Sequence, residues 1–300
     1  MKRPGNYWRI ILNHSFMTIR EFIKIGDGIL VSALYKSEFE RLNLLDFDGV
    51  FEFSGGENLG KSNLADYRER IKFRAESPVK NLFLKRYSRA PLKIQFKNFF
   101  AHRKLMSCAC AEYSPARELK RAGVNTFVTV ASGEERRWLL EKRSFIITEE
   151  IAEAESLERR LPDYVTKPVS VEDLQQKRRF LASLAGFIVR FHETGYRHRD
   201  LYFSHIFYDT NGHFHLIDLA RAFKPLLYSE RYRIKDLAQL FYSAPASCFS
   251  STDRLRFYLA LTGHNKLTDK DKHIIGKIIV RAKRMARHDR KHGREVPYKN

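Results

Sequence analysis

The sequence predicts an α+β protein of two lobes, with strands in the first half of the chain and helices in the second. Over residues 67–75 and 81–87 apolar and polar side chains alternate, a pattern typical of strands that bury one face. After Pro168 the apolar residues recur at helical spacing, most clearly over 171–192. Because strands and helices are grouped along the chain, we expect a strand-rich lobe beside a helical lobe.

These patterns also suggest where the lobes begin and end. Residues 1–44 mix aromatic and charged side chains with weak periodicity, and we expect them to form a partly ordered N-terminal extension. The strand-rich lobe would then span 45–150, and the helical lobe would span 151–300 and end in a basic helix. The hydrophobic content of 43% supports a large core and excludes global disorder.

The chain is strongly basic, with 55 Lys+Arg against 35 Asp+Glu and a formal net charge of +20. This surplus predicts an anionic partner, either a phosphate ester, an anionic membrane surface or nucleic acid. Nucleic acid is the least favoured of the three because no nucleic-acid-binding motif is present. No apolar run approaches the ~18 residues that span a bilayer. The N-terminus lacks a secretory apolar stretch, and the three cysteines form neither a disulfide framework nor a zinc pattern, so we expect a reduced, cytoplasmic protein.

Strand, cap and turn signals order the first lobe. From the N-terminal side, we predict strands over 49–53, 67–75, 81–87, 127–130 and 145–148. A glycine-rich segment, 54–62, follows the first of them. A helix is predicted to begin at Ser114-Pro115, since serine is a good N-cap and proline suits the first helical position, and to end at Gly123.

The second lobe has one long helix, one hairpin and a helical remainder. The helix over 171–192 should end at Gly195. Asn211-Gly212 lies between two apolar runs, which is a strong signal for a β-hairpin. From Tyr232 the pattern is helical almost to the end of the chain.

One carboxylate lies on each side of this hairpin. Asp200, in the triplet His198-Arg199-Asp200, precedes it, and Asp218 follows its second strand. Because a hairpin returns the chain to its starting edge, we expect the two carboxylates to lie close together. Phosphoryl transfer uses such a pair: one carboxylate orients the attacking hydroxyl, and the other holds the Mg²⁺ that bridges the nucleotide phosphates. We therefore predict Asp200 as the catalytic base and Asp218 as a metal ligand.

The first lobe supplies residues that suit the same chemistry. Lys85, on the strand over 81–87, is placed to neutralise nucleotide phosphates, and a helical glutamate should position it by an ion pair. Glu118 is the first candidate for that glutamate and Glu112 is the second. The loop over the phosphates would contain Gly55, Gly56 and Gly60. This order of glycine loop, lysine, glutamate, His-Arg-Asp and metal aspartate is that of the protein-kinase-like fold.

Several segments resemble the lipopolysaccharide core kinases of Gram-negative bacteria. Most similar is the core heptose(I) kinase type, followed by the Kdo kinase and InaA-like branches. The resemblance lies in the segments 119–126, 144–149, 198–205, 216–222 and 231–240 and extends over roughly residues 45–265. It implies ATP as the phosphate donor and an inner-core sugar, heptose above all, as the acceptor. The basic charge suits an acceptor rich in phosphate and carboxylate groups.

The resemblance also implies further residue roles and a location. The segment 147–151, with Glu149, would form the hinge strand that receives adenine. His205 stands where protein kinases have a metal-binding Asn, and whether it binds metal or only hydrogen-bonds the loop is left open. His198 and Asp236 are expected to brace the catalytic loop. A lipopolysaccharide kinase would be cytoplasmic, and peripheral contact with the inner membrane is left open.

Three alternatives remain beside this hypothesis. The acceptor could be Kdo or another cell-envelope glycan. Gly55 to Ser62 matches the P-loop pattern G-x-x-x-x-G-K-S, which would make Lys61 and Ser62 the centre of a nucleotide-hydrolysing enzyme, although no βα alternation follows. Even in the kinase hypothesis, Lys61 is predicted to help bind nucleotide. A non-catalytic scaffold that binds anionic lipid or nucleic acid is the third.

The basic C-terminal stretch 274–294 has two interpretations of equal weight. Its apolar stripe and basic residues suit a helix that docks on anionic lipid or lipopolysaccharide phosphates. The same pattern suits a last core helix whose basic face is solvated.

Overall fold

A computed structural model describes residues 22–26, 28–60 and 66–297, and it shows a sheet-containing lobe followed by a helical lobe. The strands are β1 (Phe22–Ile25), β2 (Ile29–Ser32), β3 (Glu57–Asn58), β4 (Arg68–Glu76), β5 (Val79–Ser88), β6 (Thr129–Arg137), β7 (Leu140–Glu149), β8 (Ala154–Ser156), β9 (Ile206–Asp209) and β10 (Phe214–Leu216). The helices are α1 (Lys36–Arg41), α2 (Phe47–Glu52), α3 (Leu92–His102), α4 (Cys108–Arg121), α5 (Asp163–Thr166), α6 (Val171–Glu193), α7 (Ser229–Ser243), α8 (Ser251–Thr262) and α9 (Asp269–Lys291). The predicted α+β, two-lobe class is confirmed.

The first lobe is built on a seven-stranded sheet in the order β1-β2-β6-β7-β5-β4-β3. One face carries an apolar core that includes Tyr35, Phe39 and Val50 from the segment before β3. The other face holds Lys85, which is opposite Ile146 in register, and looks toward α4 and the second lobe. The sheet therefore presents polar side chains to the boundary between the lobes.

Two predictions for the N-terminal side are wrong. Residues from Phe22 onward do not form a separate extension, because β1 and β2 complete the sheet beside β6. Residues 49–53 are not a strand but mostly belong to α2, whose first turn is capped by Asp46. Its carboxylate accepts a hydrogen bond of 2.7 Å from the backbone N–H of Gly49. This cap and the packing of Val50 in the core outweigh the local strand pattern.

The helix predicted to begin at Ser114 begins seven residues earlier, after Ser107. The Ser107 hydroxyl accepts a hydrogen bond from the backbone N–H of Cys110. Two side chains of β7 accept the preceding backbone N–H groups of the helix. Glu141 accepts that of Cys108, and Ser144 accepts that of Ala109. Side chains of a strand distant in sequence thus accept backbone N–H groups of the first turn of α4, which have no partner within the helix. Pro115 lies inside the helix and is buried. The predicted end is confirmed, with Gly123 in the left-handed region at φ +76°.

The second lobe follows the sequence prediction closely. The long helix is α6, and Gly195 follows its end at φ +84°. The predicted hairpin is β9–β10, with Gly212 in its turn, and α7 to α9 form the helical remainder. On α9, Ile274, Ile278 and Ala282 are buried, so much of its apolar stripe belongs to the core.

The P-loop alternative loses its structural basis. All strand pairings within the two sheets are antiparallel in the described part of the chain, whereas a P-loop enzyme needs a parallel sheet. Lys61 and Ser62 lie outside the described residues. On α9 the buried apolar side chains are not available to a lipid surface, while its basic face stays exposed and its docking on anionic groups stays a prediction. Among the described helices, none is long and apolar enough to cross a bilayer.

Because Ser107 caps α4 and Ser114 lies within it, replacing each serine by alanine should change the free energy of unfolding by different amounts. We expect Ser107→Ala to lower the free energy of unfolding by about 1 kcal/mol, since a capping acceptor is lost. Ser114→Ala should change it by less than about 0.5 kcal/mol, because alanine is a better helix former than serine. Urea unfolding at pH 7 measures both. Equal losses in the two variants would contradict the observed helix start.

Candidate active site

Asp200 lies in the loop between α6 and β9, at the boundary between the lobes. Its carboxylate is held by Arg221, whose guanidinium nitrogen is 2.7 Å from Oδ2 and 2.8 Å from Oδ1. Lys235, on α7, lies 4.0 Å from Oδ1. Burial lowers the pKa of Lys235 to about 8, although the charge of Asp200 opposes that shift. The Asp200 carboxylate is thus fixed by two cations from the second lobe.

Asp218 and His205 lie beside Asp200, as the hairpin geometry predicts. His205 Nδ1 is 2.7 Å from the backbone carbonyl oxygen of Asp200 and must donate to it. In the neutral imidazole, Nε2 then carries the lone pair, and Nε2 lies 3.7 Å from Asp218 Oδ2. Burial alone would raise the pKa of Asp218, but the positive charges of Lys85 and Arg68, together with that of His205 when it is protonated, lower it overall. A carboxylate and an imidazole lone pair therefore face each other.

One face of α7 satisfies the backbone of this loop. Asp236 is fully buried and accepts the N–H groups of His198, at 2.9 Å, and Arg199, at 2.7 Å. Gln239 accepts the N–H of Leu201, and Ser243 accepts that of Phe203. Asp236, Gln239 and Ser243 are spaced three and four residues apart, so they share one helix face. The predicted bracing role of Asp236 is confirmed by these contacts.

His198 connects the loop to the strand end before Asp218. Its ring is fully buried, and Nε2 lies 3.0 Å from the carbonyl oxygen of Ile217. Burial lowers the pKa of His198 and keeps the ring neutral. The His198 and His205 rings are stacked, with centroids 5.8 Å apart. His198 therefore braces the loop, as predicted.

The predicted pairing of Lys85 with Glu118 is wrong. Lys85 forms a buried salt bridge with Glu112 on α4, and both side chains are almost fully enclosed. Glu118 instead binds Lys224 at 2.8 Å, on the surface of the same helix's last turns. The error follows from the helix start: with α4 placed after Ser114, Glu112 appeared to lie outside the helix. The cap from β7 brings Glu112 into the second turn.

Arg68 was missed in the sequence. It lies on β4, on the sheet face that carries Lys85, with its guanidinium carbon 5.7 Å above the Tyr87 ring. Its buried Nε has no hydrogen-bond partner among the residues that the structure covers. Burial would lower the pKa of Arg68, but Tyr87, Glu112 and Asp218 raise it overall. The alternating basic residues of β4, at positions 68, 70 and 72, were the signal that could have found it.

The residues predicted to bind nucleotide from the first lobe are only partly brought together. Gly55 and Gly56 precede β3, and a Cβ on Gly56 would lie 2.4 Å from the Lys72 carbonyl oxygen, so Gly56 is needed for packing. Gly60 follows β3, in the connection to β4, while Lys61 in the same connection lies outside the described residues. Gly60 and Lys61 thus share the connection between β3 and β4, and the role of this connection in covering the nucleotide phosphates stays a prediction.

Glu149, predicted at the adenine-binding hinge, ends β7 as expected. Its carboxylate, however, accepts a hydrogen bond of 2.6 Å from the Tyr35 hydroxyl. Tyr35 belongs to the apolar core on the sheet face opposite Lys85. Alternation along β7 accounts for this, because residue 149 falls on the other face from residues 146 and 148. The Glu149 side chain thus points away from the cleft, and only its backbone remains a candidate adenine contact.

The backbone is strained on both sides of the hairpin, in the loop before it and just after its second strand. Arg199 has φ +70° and Asp218 has φ +54°, a left-handed region that side chains with a Cβ rarely adopt. Such conformations persist only where surrounding contacts enforce them, and they concentrate at functional sites. Around this strained backbone, Lys85 and Arg68 lie on the side of the first lobe and Asp200 lies on the side of the second lobe.

Comparisons with known proteins agree with this geometry. The sequence model of the lipopolysaccharide kinase (Kdo/WaaP) family matches residues 63–260. Lipopolysaccharide core heptose(I) kinase WaaP of Escherichia coli (strain K12) is 27% identical over 254 residues, which is 82% of this chain and 95% of that protein. The Pseudomonas aeruginosa protein of the same name is 33% identical over 49% of this chain and 56% of its own length.

A third relative and a solved structure are also similar. A further Escherichia coli core heptose(I) kinase WaaP is 31% identical over 61% of this chain and 71% of its own length. The solved structure of WaaP in complex with acyl carrier protein matches with a TM-score of 0.63 at 22% identity. It covers 86% of this chain and 98% of that chain, so the fold is shared along nearly the whole length.

Because Asp236 accepts two buried N–H groups, its replacement should destabilise the protein. We expect Asp236→Asn to lower the free energy of unfolding by about 2 kcal/mol, since one amide oxygen replaces two carboxylate oxygens and an N–H₂ group faces a backbone donor. Asp269→Asn is the matched control, because Asp269 is almost fully exposed and, among the described residues, forms its salt bridge with Lys272. Urea unfolding compares them, and a loss below 0.5 kcal/mol in Asp236→Asn would refute the bracing role.

Proposed function

Because the chain belongs to the lipopolysaccharide kinase (Kdo/WaaP) family, we propose that it transfers the γ-phosphoryl group of ATP to a heptose hydroxyl of the lipopolysaccharide inner core. Family membership makes the protein an ATP-using kinase with the protein-kinase-like fold. The acceptor rests on the relatives, since those reported above are named core heptose(I) kinases. Kdo or another glycan is the second candidate acceptor.

One observation carries the proposal: residues of both lobes meet in one cleft. Asp218, from the second lobe, is close enough to Lys85 on the sheet for the lysine charge to lower its pKa. Asp200 is linked to Asp218 through His205, which contacts both residues. A cleft with phosphate-binding cations on one wall and two carboxylates on the other is what phosphoryl transfer requires. A non-catalytic scaffold would not need this combination of cations and carboxylates.

The residues present have separate roles in the proposed reaction. Asp200 would accept a hydrogen bond from the acceptor hydroxyl, orient its oxygen toward the γ-phosphorus and receive its proton. Lys85, positioned by Glu112, would hold the nucleotide phosphates. Arg68 would add a second cation on the same wall. The contact between Arg221 and Asp200 orients the carboxylate before the acceptor binds.

The residues around Asp218 fit Mg²⁺. Mg²⁺ is usually held by one or two carboxylates together with nucleotide phosphates and water, not by a cage of protein ligands. Within the described ranges no three His, Cys, Asp or Glu side chains cluster as a metal site. Asp218 would hold the Mg²⁺, and the Nε2 lone pair of His205 points to the same place. When bound, the metal would neutralise charge on the phosphates.

The test is phosphate transfer from ATP to lipopolysaccharide core that lacks phosphate on heptose. We expect labelled heptose with the wild type, and a loss of kcat by about 10²–10⁴-fold in Asp200→Asn, since an amide cannot accept the proton. Asp209→Asn is the matched control, because Asp209 lies in the β9–β10 hairpin and, within the described ranges, its carboxylate binds His213 and His215 of the same hairpin. Fragment mass spectrometry of the product identifies the labelled sugar.

Each contrary outcome has a defined meaning. Label on Kdo instead of heptose would replace the acceptor and keep the site. Unchanged turnover in Asp200→Asn would contradict the assigned base. A loss in Lys61→Ala as large as that in Asp200→Asn would show that the undescribed connection after Gly60 contributes as much as the cleft.

The Lys85–Glu112 pair gives a second prediction. We expect Glu112→Gln to lower kcat/KM for ATP by roughly 10–100-fold, because Lys85 loses the buried carboxylate that positions it. Glu118→Gln should change it by less than about threefold, since Glu118 pairs with Lys224 at the surface. Steady-state kinetics with varied ATP measures both, with thermal melting to exclude unfolded protein. A larger effect in Glu118→Gln would reverse the assignment.

A further inference from the structure

A large groove runs between α7 and α9 and ends at the catalytic loop. Its volume is about 1430 Å³, and its walls include Arg231 of α7 and Arg281 and Arg284 of α9. Tyr202 and Ser204, two and four residues after Asp200, also line it. The Tyr202 hydroxyl lies 3.7 Å from the sulfur of Met285 on α9, so loop and helix are in contact. We call this feature the α7–α9 groove.

The cations of this groove outnumber the carboxylates that could pair with them. Lys277, Arg281 and Arg284 share one face of α9, and Arg231 faces them from α7. None of these four makes a salt bridge within the part of the chain that the structure covers. Asp289 is already bound by Tyr242, His288 and Arg294. The other carboxylates in the lining are those of Glu158 and Glu230.

The three arginines repel one another. The pKa of Arg281 is lowered by burial and then by the positive charges of Arg231 and Arg284. Partly burying like charges costs free energy unless an anion lies between them. Guanidinium groups bind phosphate and carboxylate in a bidentate way. The cluster therefore has the chemistry of an anion site that is completed by a ligand.

The shape of the groove favours a saccharide over a bilayer. A groove walled by two helices and the catalytic loop is concave, and a flat lipid surface cannot reach its base. Much of the apolar stripe of α9, which a membrane-bound helix would insert, is buried against the core, with Ala282 and Ala286 packed beside Tyr242. A chain of anionic sugars fits such a concave surface, and Tyr202 and Ser204 connect the groove to the loop that carries Asp200.

We propose that the α7–α9 groove binds the phosphate or carboxylate groups of the acceptor saccharide while the neighbouring sugar is phosphorylated at Asp200. This inference rests on the proposed function, since it takes the acceptor from there. Arg231, Arg281 and Arg284 would contact the anionic groups, and Tyr202 would separate them from the reacting sugar.

The decisive comparison is between two double variants of α9 with equal charge change. Arg281→Ala/Arg284→Ala removes two groove cations, and Lys283→Ala/Arg287→Ala removes two exposed cations that do not line the groove. With core lacking phosphate on heptose as acceptor, we expect the first to raise the acceptor KM by roughly 10–100-fold, because charge-assisted hydrogen bonds are lost. The control should change it less than about threefold, and the KM for ATP should stay unchanged in both.

Direct binding separates this inference from the proposed function. Calorimetry without ATP uses three probes: core oligosaccharide with its lipid-proximal phosphates, the same oligosaccharide after dephosphorylation, and phosphatidylglycerol vesicles. Weakened binding of the first probe in the groove variant alone supports the groove. Retained affinity for the dephosphorylated probe assigns the contact to carboxylates, and lost affinity assigns it to phosphates. If the wild type binds core but transfers no phosphate, the proposed function fails while the groove stands.

Other results would overturn the groove. Equal losses in both double variants would show general surface attraction. Vesicle binding that depends on Arg281 and Arg284, without binding of oligosaccharide, would make the feature a membrane contact. Because Arg281 is partly buried, the exposed Arg284→Glu provides a single change that need not disturb packing. Unchanged acceptor KM in folded Arg284→Glu would also contradict the proposal.

Discussion

The loop that carries Asp200 needs hydrogen-bond acceptors for backbone N–H groups that do not pair with the backbone of a helix or sheet. A buried, unpaired N–H group costs free energy comparable to a lost hydrogen bond, so irregular backbone at the lobe boundary must find partners. One face of α7 provides them through Asp236, Gln239 and Ser243. The same contacts hold Arg199 in its left-handed conformation. The position of Asp200 is thus a consequence of helix packing more than of the loop's own preferences.

The opposite wall of the cleft depends on a single buried ion pair. Lys85 on β5 and Glu112 on α4 connect the sheet to the helix. Removal of either partner would leave an uncompensated buried charge and would destabilise the protein. Arg68 adds positive charge beside it, and its Nε has no partner in the described structure. Because the charges of Lys85 and Arg68 are only partly compensated by carboxylates, a polyanion would bind favourably beside them. Nucleotide binding would therefore complete the electrostatics of the cleft.

Part of the excess positive charge of the chain is concentrated on one face of α9. Much of the apolar stripe of α9 is buried in the core, while its basic residues at 277, 281 and 284 face α7 across the groove. Tyr202 joins that groove to the catalytic loop. One helix thus contributes to the core on one side and to a candidate acceptor surface on the other, and the two interpretations of the basic C-terminal stretch each describe one of its faces.

The sequence by itself determined the two-lobe class, the hairpin between Asp200 and Asp218, and the lysine strand, because local periodicity and turn chemistry dominate there. It also placed Asp236, since that position follows from the resemblance. Tertiary structure alone decided that Glu112 pairs with Lys85, because α4 is capped by residues of β7 that lie 33 and 35 positions further along the chain. It likewise made α2 a helix and turned Glu149 away from the cleft. Contacts between distant segments outweigh local preference at helix ends and strand faces, and no short window of sequence contains them.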